Sequence, residues 1–186
     1  TRTKAGLFDV SHMGQARLVS KIEDTSAAEL FEQLVPGGLV TLSEGRIRYT
    51  QLTDKTGGIL DDLMATRFGN TLWLVVNAAC KDADYEHILN TLGADAVLEV
   101  AERGLLALQG PEASRVLSDI FPETATMAFM SSVNVDWNGH ALLVSRCGYT
   151  GEDGYEISIP AEAIEGFCRA LLADDAVEMI GLGARD

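Results

Sequence analysis

Residues 148–160, which read GYTGEDGYEISIP, constrain the fold of this chain more than any other segment. Glycine occurs at every third position from Gly148 to Gly154, and glycine allows tight turns and close approach of a second backbone or a ligand. Beyond Gly154 the pattern alternates, so Tyr155 and the two isoleucines share one strand face and Glu156 stands on the other. If the isoleucine face packs on the core, Glu156 stands where a ligand could meet it. The alternative is a hairpin with a solvated glutamate.

The composition is typical of a globular protein with a real core. The chain has 186 residues, of which 47% are hydrophobic and 23% are charged. Its formal net charge is −14, from 28 acidic and 14 basic residues. A surface of that sign repels phosphate backbones, so we expect no nucleic acid partner. Anionic small ligands stay compatible with this charge wherever arginine is available locally.

Cysteine content and hydropathy predict the compartment. Cys80, Cys147 and Cys168 form an odd set without a CxxC pair, which indicates free thiols in a reducing environment. No apolar run approaches the roughly 18 residues that cross a bilayer, and no signal peptide opens the chain. We therefore expect a soluble, intracellular protein that does not associate with membranes. Both ends look cut, which predicts a piece of a longer protein.

Hydrophobic spacing predicts the secondary structure. Apolar residues at helical spacing predict helices over residues 27–34, 85–92, 113–120 and 164–172. Strands are predicted over residues 15–19, 47–52, 60–68, 72–76, 96–100, 105–109, 133–137, 141–146 and 155–159. The segment 72–76 is apolar throughout and is expected to be buried on both faces. Asn138 and Gly139 predict a type I′ hairpin turn.

A weak internal repeat predicts the fold class. Glycine-led strands at residues 14–19 and 104–109 each lead into a helix, and hairpin strands and a second helix follow. We expect an α+β fold of two related units, each a mostly antiparallel sheet with helices on one face. The first unit is assigned to residues 1–103 and the second to residues 104–186. This boundary is approximate, and interleaving of the two units is left open.

Standard catalytic motifs are missing, but paired carboxylates stand out. The sequence contains no GxxxxGK[ST], HExxH or GxSxG motif, and its glycines do not follow the GxGxxG spacing. Asp61 and Asp62 lie in a predicted strand, where adjacent residues point to opposite faces. One of the two is therefore expected to be buried or to face a pocket, and a buried carboxylate requires a partner or a raised pKa. Asn77, at the end of an apolar strand, is a second candidate.

Six sequence blocks carry a resemblance to a known family. They are GLFDVSHMG (6–14), GGILDDL (57–63), VVNAAC (75–80), LALQGPEA (106–113), SRCGYTGEDGYEIS (145–158) and GLGARD (181–186). In this order they resemble the aminomethyltransferases of the glycine cleavage system, the T-protein family. The family is about twice as long as this chain, so the resemblance implies the T-protein folate-binding fold with the C-terminal barrel domain absent.

The resemblance implies a reaction and a set of site residues. In the family, an aminomethyl group carried by the lipoyl arm of H-protein passes to tetrahydrofolate, which releases ammonia and forms 5,10-methylenetetrahydrofolate. This implies tetrahydrofolate as acceptor substrate, lipoylated H-protein as partner, no metal and no membrane. The family's catalytic aspartate corresponds to Asp62. Its folate-binding positions correspond to Met13, Tyr49, Asn77, Tyr149, Glu156 and Arg185. Glu156 would bind the aminopyrimidine edge of the pterin, and Arg185 would supply positive charge.

Relatives that share these blocks leave alternatives open. They include the folate-linked domains of dimethylglycine- or sarcosine-oxidising enzymes and a demethylase that takes a methyl group from a sulfonium donor. An alternative from another class is a catalytically silent folate-binding scaffold, as in relatives that act in iron–sulfur maturation. The GARD and DDL blocks favour the T-protein, and the presence of Asp62 weighs against a silent scaffold.

Overall fold

The computed structural model describes residues 1–184. The strands and helices run in the order β1 (Ala5–Asp9), β2 (Gly14–Ser20), α1 (Ala27–Phe31), β3 (Ile47–Thr53), β4 (Ile59–Phe68), β5 (Thr71–Val76), α2 (Lys81–Leu92), β6 (Ala96–Val100), β7 (Arg103–Gln109), α3 (Ala113–Ile120), β8 (Ser131–Trp137), β9 (His140–Arg146), β10 (Gly154–Pro160), α4 (Ile164–Leu172) and β11 (Val177–Met179). Short 3₁₀ helices lie at Gly93–Asp95, Pro122–Thr126 and Leu182–Ala184. Within residues 1–184, none of the helices combines the length and apolar character that crossing a membrane requires.

The chain divides into two compact units that interleave in sequence. The central unit is Met13–Ala101, and the split unit combines Thr1–His12 with the chain from Glu102 onward. The observed change between units at Glu102 lies next to the expected boundary at residue 103. The first twelve residues differ from the assignment made from the sequence, because β1 pairs with β7 and β11 of the split unit.

The central unit is an antiparallel sheet with its helices on one face. Its strands follow the order β3-β4-β5-β2-β6, and every neighbouring pair is antiparallel. The core between sheet and helices contains Phe31, Leu52, Leu63, Leu74 and Ile88. Helix α1 begins at a capping box, in which the Ser26 side chain and the Glu29 side chain each accept a hydrogen bond from the other residue's backbone N–H. The side chains of β4 that alternate with these core residues point to the opposite face of the sheet.

The split unit has a second sheet, with the order β11-β1-β7-β10-β9-β8. All its neighbours are antiparallel except β1 and β11. Tyr155, Ile157 and Ile159 of β10 are fully buried in a core that includes Phe167 of α4. This confirms the predicted orientation of β10, and it places Glu156 on the face directed away from that core.

The two units repeat one topology, as the sequence predicts. The central unit reads β2-α1-β3-β4-β5-α2-β6, and the split unit reads β7-α3-β8-β9-β10-α4-β11. The strand orders correspond as well, except that β1 is inserted between β7 and β11. The two units therefore interleave in sequence because of one added strand, β1, which comes from the start of the chain and joins the sheet of the split unit.

The predicted elements are present, but helix α1 is shorter and helix α2 is longer than predicted. Strands β1 and β11 were not predicted, and both are short. Strand β5 was expected to be buried on both faces, but only Leu72, Leu74 and Val76 are fully buried, while the residues between them are half-buried. The expected type I′ turn is confirmed, because Asn138 and Gly139 adopt φ angles of 54° and 85°.

Candidate functional site

Two aspartates and one asparagine meet at one end of the central sheet. The Nδ2 atom of Asn77 donates hydrogen bonds to Oδ1 of Asp62 at 2.7 Å, to Oδ1 of Asp61 at 3.0 Å and to the backbone oxygen of Asp62 at 3.1 Å. All three partners are acceptors, so the amide must present its NH₂ group to them. We call Asp61, Asp62 and Asn77 the carboxylate–amide cluster.

The strand register explains how the two aspartates differ. Asp61 pairs with Leu52, which is in the core, whereas Asp62 pairs with Gln51 on the opposite face. The side chains therefore leave β4 on opposite faces, as strand alternation predicts. The Asn77 amide nevertheless contacts both aspartates. Asn77 follows Val76, the last residue of β5, and Val76 pairs with Leu63, the residue that follows Asp62 in β4.

Asp84 and Cys80 extend the cluster on the core side. Asp84, in the first turn of α2, is only 4% exposed and lies within hydrogen-bonding reach of Asp61. Burial and the charges of Asp61 and Asp62 raise the pKa of Asp84 to about 7. Hydrogen bonds from Asn77, the Asp62 backbone and the Cys80 thiol outweigh the burial of Asp61 and lower its pKa. Neither residue was predicted as part of the site from the sequence.

Two further predicted folate positions lie in the central unit. Tyr49 of β3 is 45% exposed and pairs with Met64, two residues beyond Asp62 on the same face of β4. Met13 is half-buried and comes immediately before Gly14, which pairs with Val76. The structure thus brings Asp62 and Asn77 into direct contact and places Tyr49 on the Asp62 face of the sheet.

Glu156 is the buried carboxyl group of the split unit. It lies on β10 between Ala107 of β7 and Ser145 of β9, and it is 9% exposed. Burial raises its pKa, and a hydrogen bond with the Cys147 thiol opposes this shift. The same burial, together with the charge of Glu156, raises the pKa of Cys147 well above its usual value. A solvated glutamate, the alternative interpretation of the sequence, does not describe this side chain.

The Gln109 side chain organises the glycine-rich turn. Its Nε2 donates to the backbone oxygen of Cys147 at 2.9 Å, and its Oε1 accepts from the Thr150 hydroxyl at 2.9 Å. The turn wraps so closely that a β-carbon at Gly154 would lie 2.6 Å from Cδ of Gln109, and one at Gly148 would clash with the same amide. Gln109 was not predicted as a site residue, although it lies in the block LALQGPEA that carries the family resemblance.

Charged residues in the same turn are paired, and Tyr149 is exposed. Asp153 accepts a bidentate pair of hydrogen bonds from Arg146, at 3.0 and 2.5 Å. Glu152 accepts one from Arg2 at 3.0 Å. Both carboxylates are therefore paired with arginine side chains. Tyr149 is 61% exposed. Arg185, expected to supply positive charge, lies outside the described residues.

Replacing Gln109 with alanine is expected to lower the free energy of unfolding by about 1–3 kcal/mol. The change leaves the buried Cys147 carbonyl without its 2.9 Å donor and removes the oxygen that accepts a hydrogen bond from the Thr150 hydroxyl. Urea unfolding of the full-length protein measures the loss, with Gln33→Ala at an exposed position as the control. Equal stabilities for the two variants would show that the turn holds without this amide.

Comparison with known proteins places the chain in a family. A family model described as the GCVT N-terminal domain matches residues 1–186. The mitochondrial aminomethyltransferase of Canis lupus familiaris is 40% identical over the whole chain and 47% of its own length, and the aminomethyltransferase of Clostridium botulinum is 38% identical over the whole chain and 51% of its length. The chain thus spans about half the length of these relatives.

Solved structures agree with the sequence comparison. The glycine cleavage system aminomethyltransferase T of Bartonella henselae matches the whole chain and 50% of its own, with a TM-score of 0.90 and 37% identity. A heterotetrameric sarcosine oxidase from Corynebacterium sp. U-96 shares the fold, with a TM-score of 0.63, 18% identity, and coverage of 91% of this chain and 82% of its own. The chain therefore belongs to the GCVT N-terminal domain family, which confirms the resemblance to the aminomethyltransferases of the glycine cleavage system.

Proposed function

We propose that the full-length protein is a tetrahydrofolate-dependent aminomethyltransferase of glycine cleavage. It takes the aminomethyl group from the lipoyl sulfur of H-protein and passes it to tetrahydrofolate. The carbon–sulfur bond and the carbon–nitrogen bond to the departing ammonia break, and bonds to N5 and N10 of the folate form. The products are dihydrolipoyl H-protein, ammonia and 5,10-methylenetetrahydrofolate. The observation that carries the proposal is the carboxylate–amide cluster, in which Asn77 holds Asp62 in place. The chain that contains this cluster belongs to the same family as known aminomethyltransferases.

Asp62 is assigned the chemical role. N5 of the folate develops positive charge as it attacks the aminomethyl carbon, and a fixed carboxylate near it stabilises that charge and orients the nucleophile. Asp62 is half-buried, and Asn77 holds its Oδ1 at 2.7 Å, so the carboxylate needs little rearrangement before the reaction. A preorganised anion is worth more for catalysis than a mobile one, because it pays no reorganisation cost in the transition state.

Glu156 is assigned the recognition of the pterin. Two parallel N–H groups on the aminopyrimidine edge match the two oxygens of a carboxylate. The Glu156 carboxyl is buried on β10, and its two oxygens can accept such a pair of hydrogen bonds. Met13, Tyr49, Asn77 and Tyr149 are proposed as further folate contacts, and Arg185 as a source of positive charge.

Reconstitution with purified components tests the proposal. The full-length protein, lipoylated H-protein carrying the aminomethyl group and tetrahydrofolate should release ammonia at a rate that depends on all three. Ammonia release that does not depend on tetrahydrofolate would contradict the assignment. Turnover with dimethylglycine, sarcosine or a sulfonium methyl donor in place of loaded H-protein would indicate a related folate enzyme. Folate binding without turnover on any donor would indicate a silent scaffold.

The cellular location follows from the source of the protein. We propose the cytoplasm in a bacterium and the mitochondrial matrix in a eukaryote. Relatives of both kinds support this, since the aminomethyltransferase of Canis lupus familiaris is described as mitochondrial and that of Clostridium botulinum comes from a bacterium.

A further inference from the structure

Two buried carboxylate oxygens have no conventional donor in the central unit. Oδ2 of Asp61 and Oδ2 of Asp84 are both inaccessible to solvent and without a donor group as partner. The two side chains are nevertheless within hydrogen-bonding reach of each other. Two ionised carboxylates can only accept hydrogen bonds, so they would leave both oxygens unsatisfied and would repel each other. A single shared proton removes both problems.

We propose that Asp84 keeps its proton and donates it in a hydrogen bond to Oδ2 of Asp61, which makes Asp84 a positioning residue of the carboxylate–amide cluster. This extends the function proposed above and rests on it where turnover is concerned. Asp61 is the anion of the pair because its other partners are all donors: the Asn77 amide at 3.0 Å, the backbone N–H of Asp62 and the Cys80 thiol. Asp84 is the acid because it is more deeply buried.

The bond from Asp84 connects to the catalytic carboxylate through the Asn77 amide. With Oδ2 fixed by Asp84, Asp61 presents Oδ1 to Nδ2 of Asn77. The same nitrogen then holds Oδ1 of Asp62 at 2.7 Å. Loss of the Asp84 hydrogen bond frees Asp61 to rotate, and the amide then loses one of the partners that orient it. Asp84 therefore acts through Asp61 and Asn77 and does not touch the substrate.

The surroundings explain why the proton is held near neutral pH. Two titratable groups of β4 act on Asp84: Asp61, which faces it, and Asp62, whose charge acts from the opposite face of the strand. At the start of α2, Cys80 and Tyr85 are affected by the charge of Asp84 in turn. Within residues 1–184, no three His, Cys, Asp or Glu side chains are arranged to hold a metal ion. The pKa of Cys80 is raised and that of Tyr85 is raised to about 12, so both stay neutral while Asp84 titrates. Asp84 is therefore the group that exchanges its proton near neutral pH.

Carbon-13 NMR of the full-length protein, labelled at the aspartate carboxyl carbons, tests the shared proton directly. One aspartate signal should titrate near pH 7, and Asp84→Asn should remove it, while Asp82→Asn on the exposed side of α2 should leave it in place. This measurement needs no substrate, so it is independent of the proposed function. A wild-type protein in which every aspartate titrates in the ordinary acidic range, or a signal that survives in Asp84→Asn, would overturn the proposal.

Turnover then tests the positioning role. The side-chain amide introduced by Asp84→Asn can donate to Asp61 at any pH, so kcat should stay within about threefold of wild type at pH 6 and should decline less than wild type as pH rises above 7. Asp84→Leu cannot donate, and its kcat should fall at least about tenfold. If Asp84→Leu does not fold, the dependence of kcat on pH in Asp84→Asn and in Asp82→Asn tests the positioning role in its place. Identical profiles for wild type and Asp84→Asn would remove the positioning role even where the NMR signal is present.

Discussion

Asp62→Asn in the full-length protein is expected to lower kcat by about 10²- to 10³-fold, because the charge that stabilises the transition state disappears. Asparagine has nearly the same shape as aspartate, and its side-chain oxygen can still accept the 2.7 Å hydrogen bond from Nδ2 of Asn77. The carboxylate–amide cluster should therefore keep its geometry. Tetrahydrofolate affinity should stay within about threefold of wild type, since the substitution removes a transition-state interaction and not a binding contact.

Ammonia release from loaded H-protein measures kcat, and fluorescence titration measures the affinity for tetrahydrofolate. Asp95→Asn, which removes an exposed carboxylate from the same unit, is the matched control and should behave as wild type. Turnover of Asp62→Asn at the wild-type rate would rule out the catalytic assignment. Equal losses of turnover and folate affinity would instead make Asp62 a binding residue.

The fold could be predicted largely from local pattern. Helical spacing and strand alternation predicted the four helices and the longer strands. Each of these elements buries one face, so its apolar residues recur at the spacing of that element. The start of the chain could not be assigned in this way. Strand β1 joins the split unit through pairing with β7 and β11, and such long-range pairing leaves no signal in five residues of sequence.

The site could be predicted in part, and one of its supporting residues could have been found. Asp84 stands at helical spacing with Ile88 and Leu92, both buried, so a carboxylate on the apolar face of α2 was visible in the sequence. Gln109 gave no comparable signal, because its role depends on how closely the turn that starts at Gly148 wraps around it. Residues that act on other residues are recognised mainly from three-dimensional contacts.

Glu156→Gln is expected to raise the Kd for tetrahydrofolate at least about 100-fold, since the pterin would lose two charge-assisted hydrogen bonds worth about 1.5–3 kcal/mol each. Glutamine has one acceptor oxygen, and its NH₂ group would oppose a donor of the ligand. Affinity in the wild type should also fall as pH decreases, and the fall should begin above the ordinary range of glutamate because burial raises the pKa of Glu156.

The stability of the same variant separates recognition from structure. A folded-state pKa above the unfolded value means that the folded protein binds the Glu156 proton more tightly, so wild-type stability declines as pH rises from the unfolded pKa to the folded one. Glu156→Gln has no such decline, and at pH 8 it should be at least as stable as wild type in urea unfolding. Glu123→Gln, at an exposed position of the same unit, should match wild type in both measurements. A variant that binds folate normally would exclude Glu156 from recognition, and one that loses stability together with affinity would make Glu156 a structural residue whose burial serves the fold.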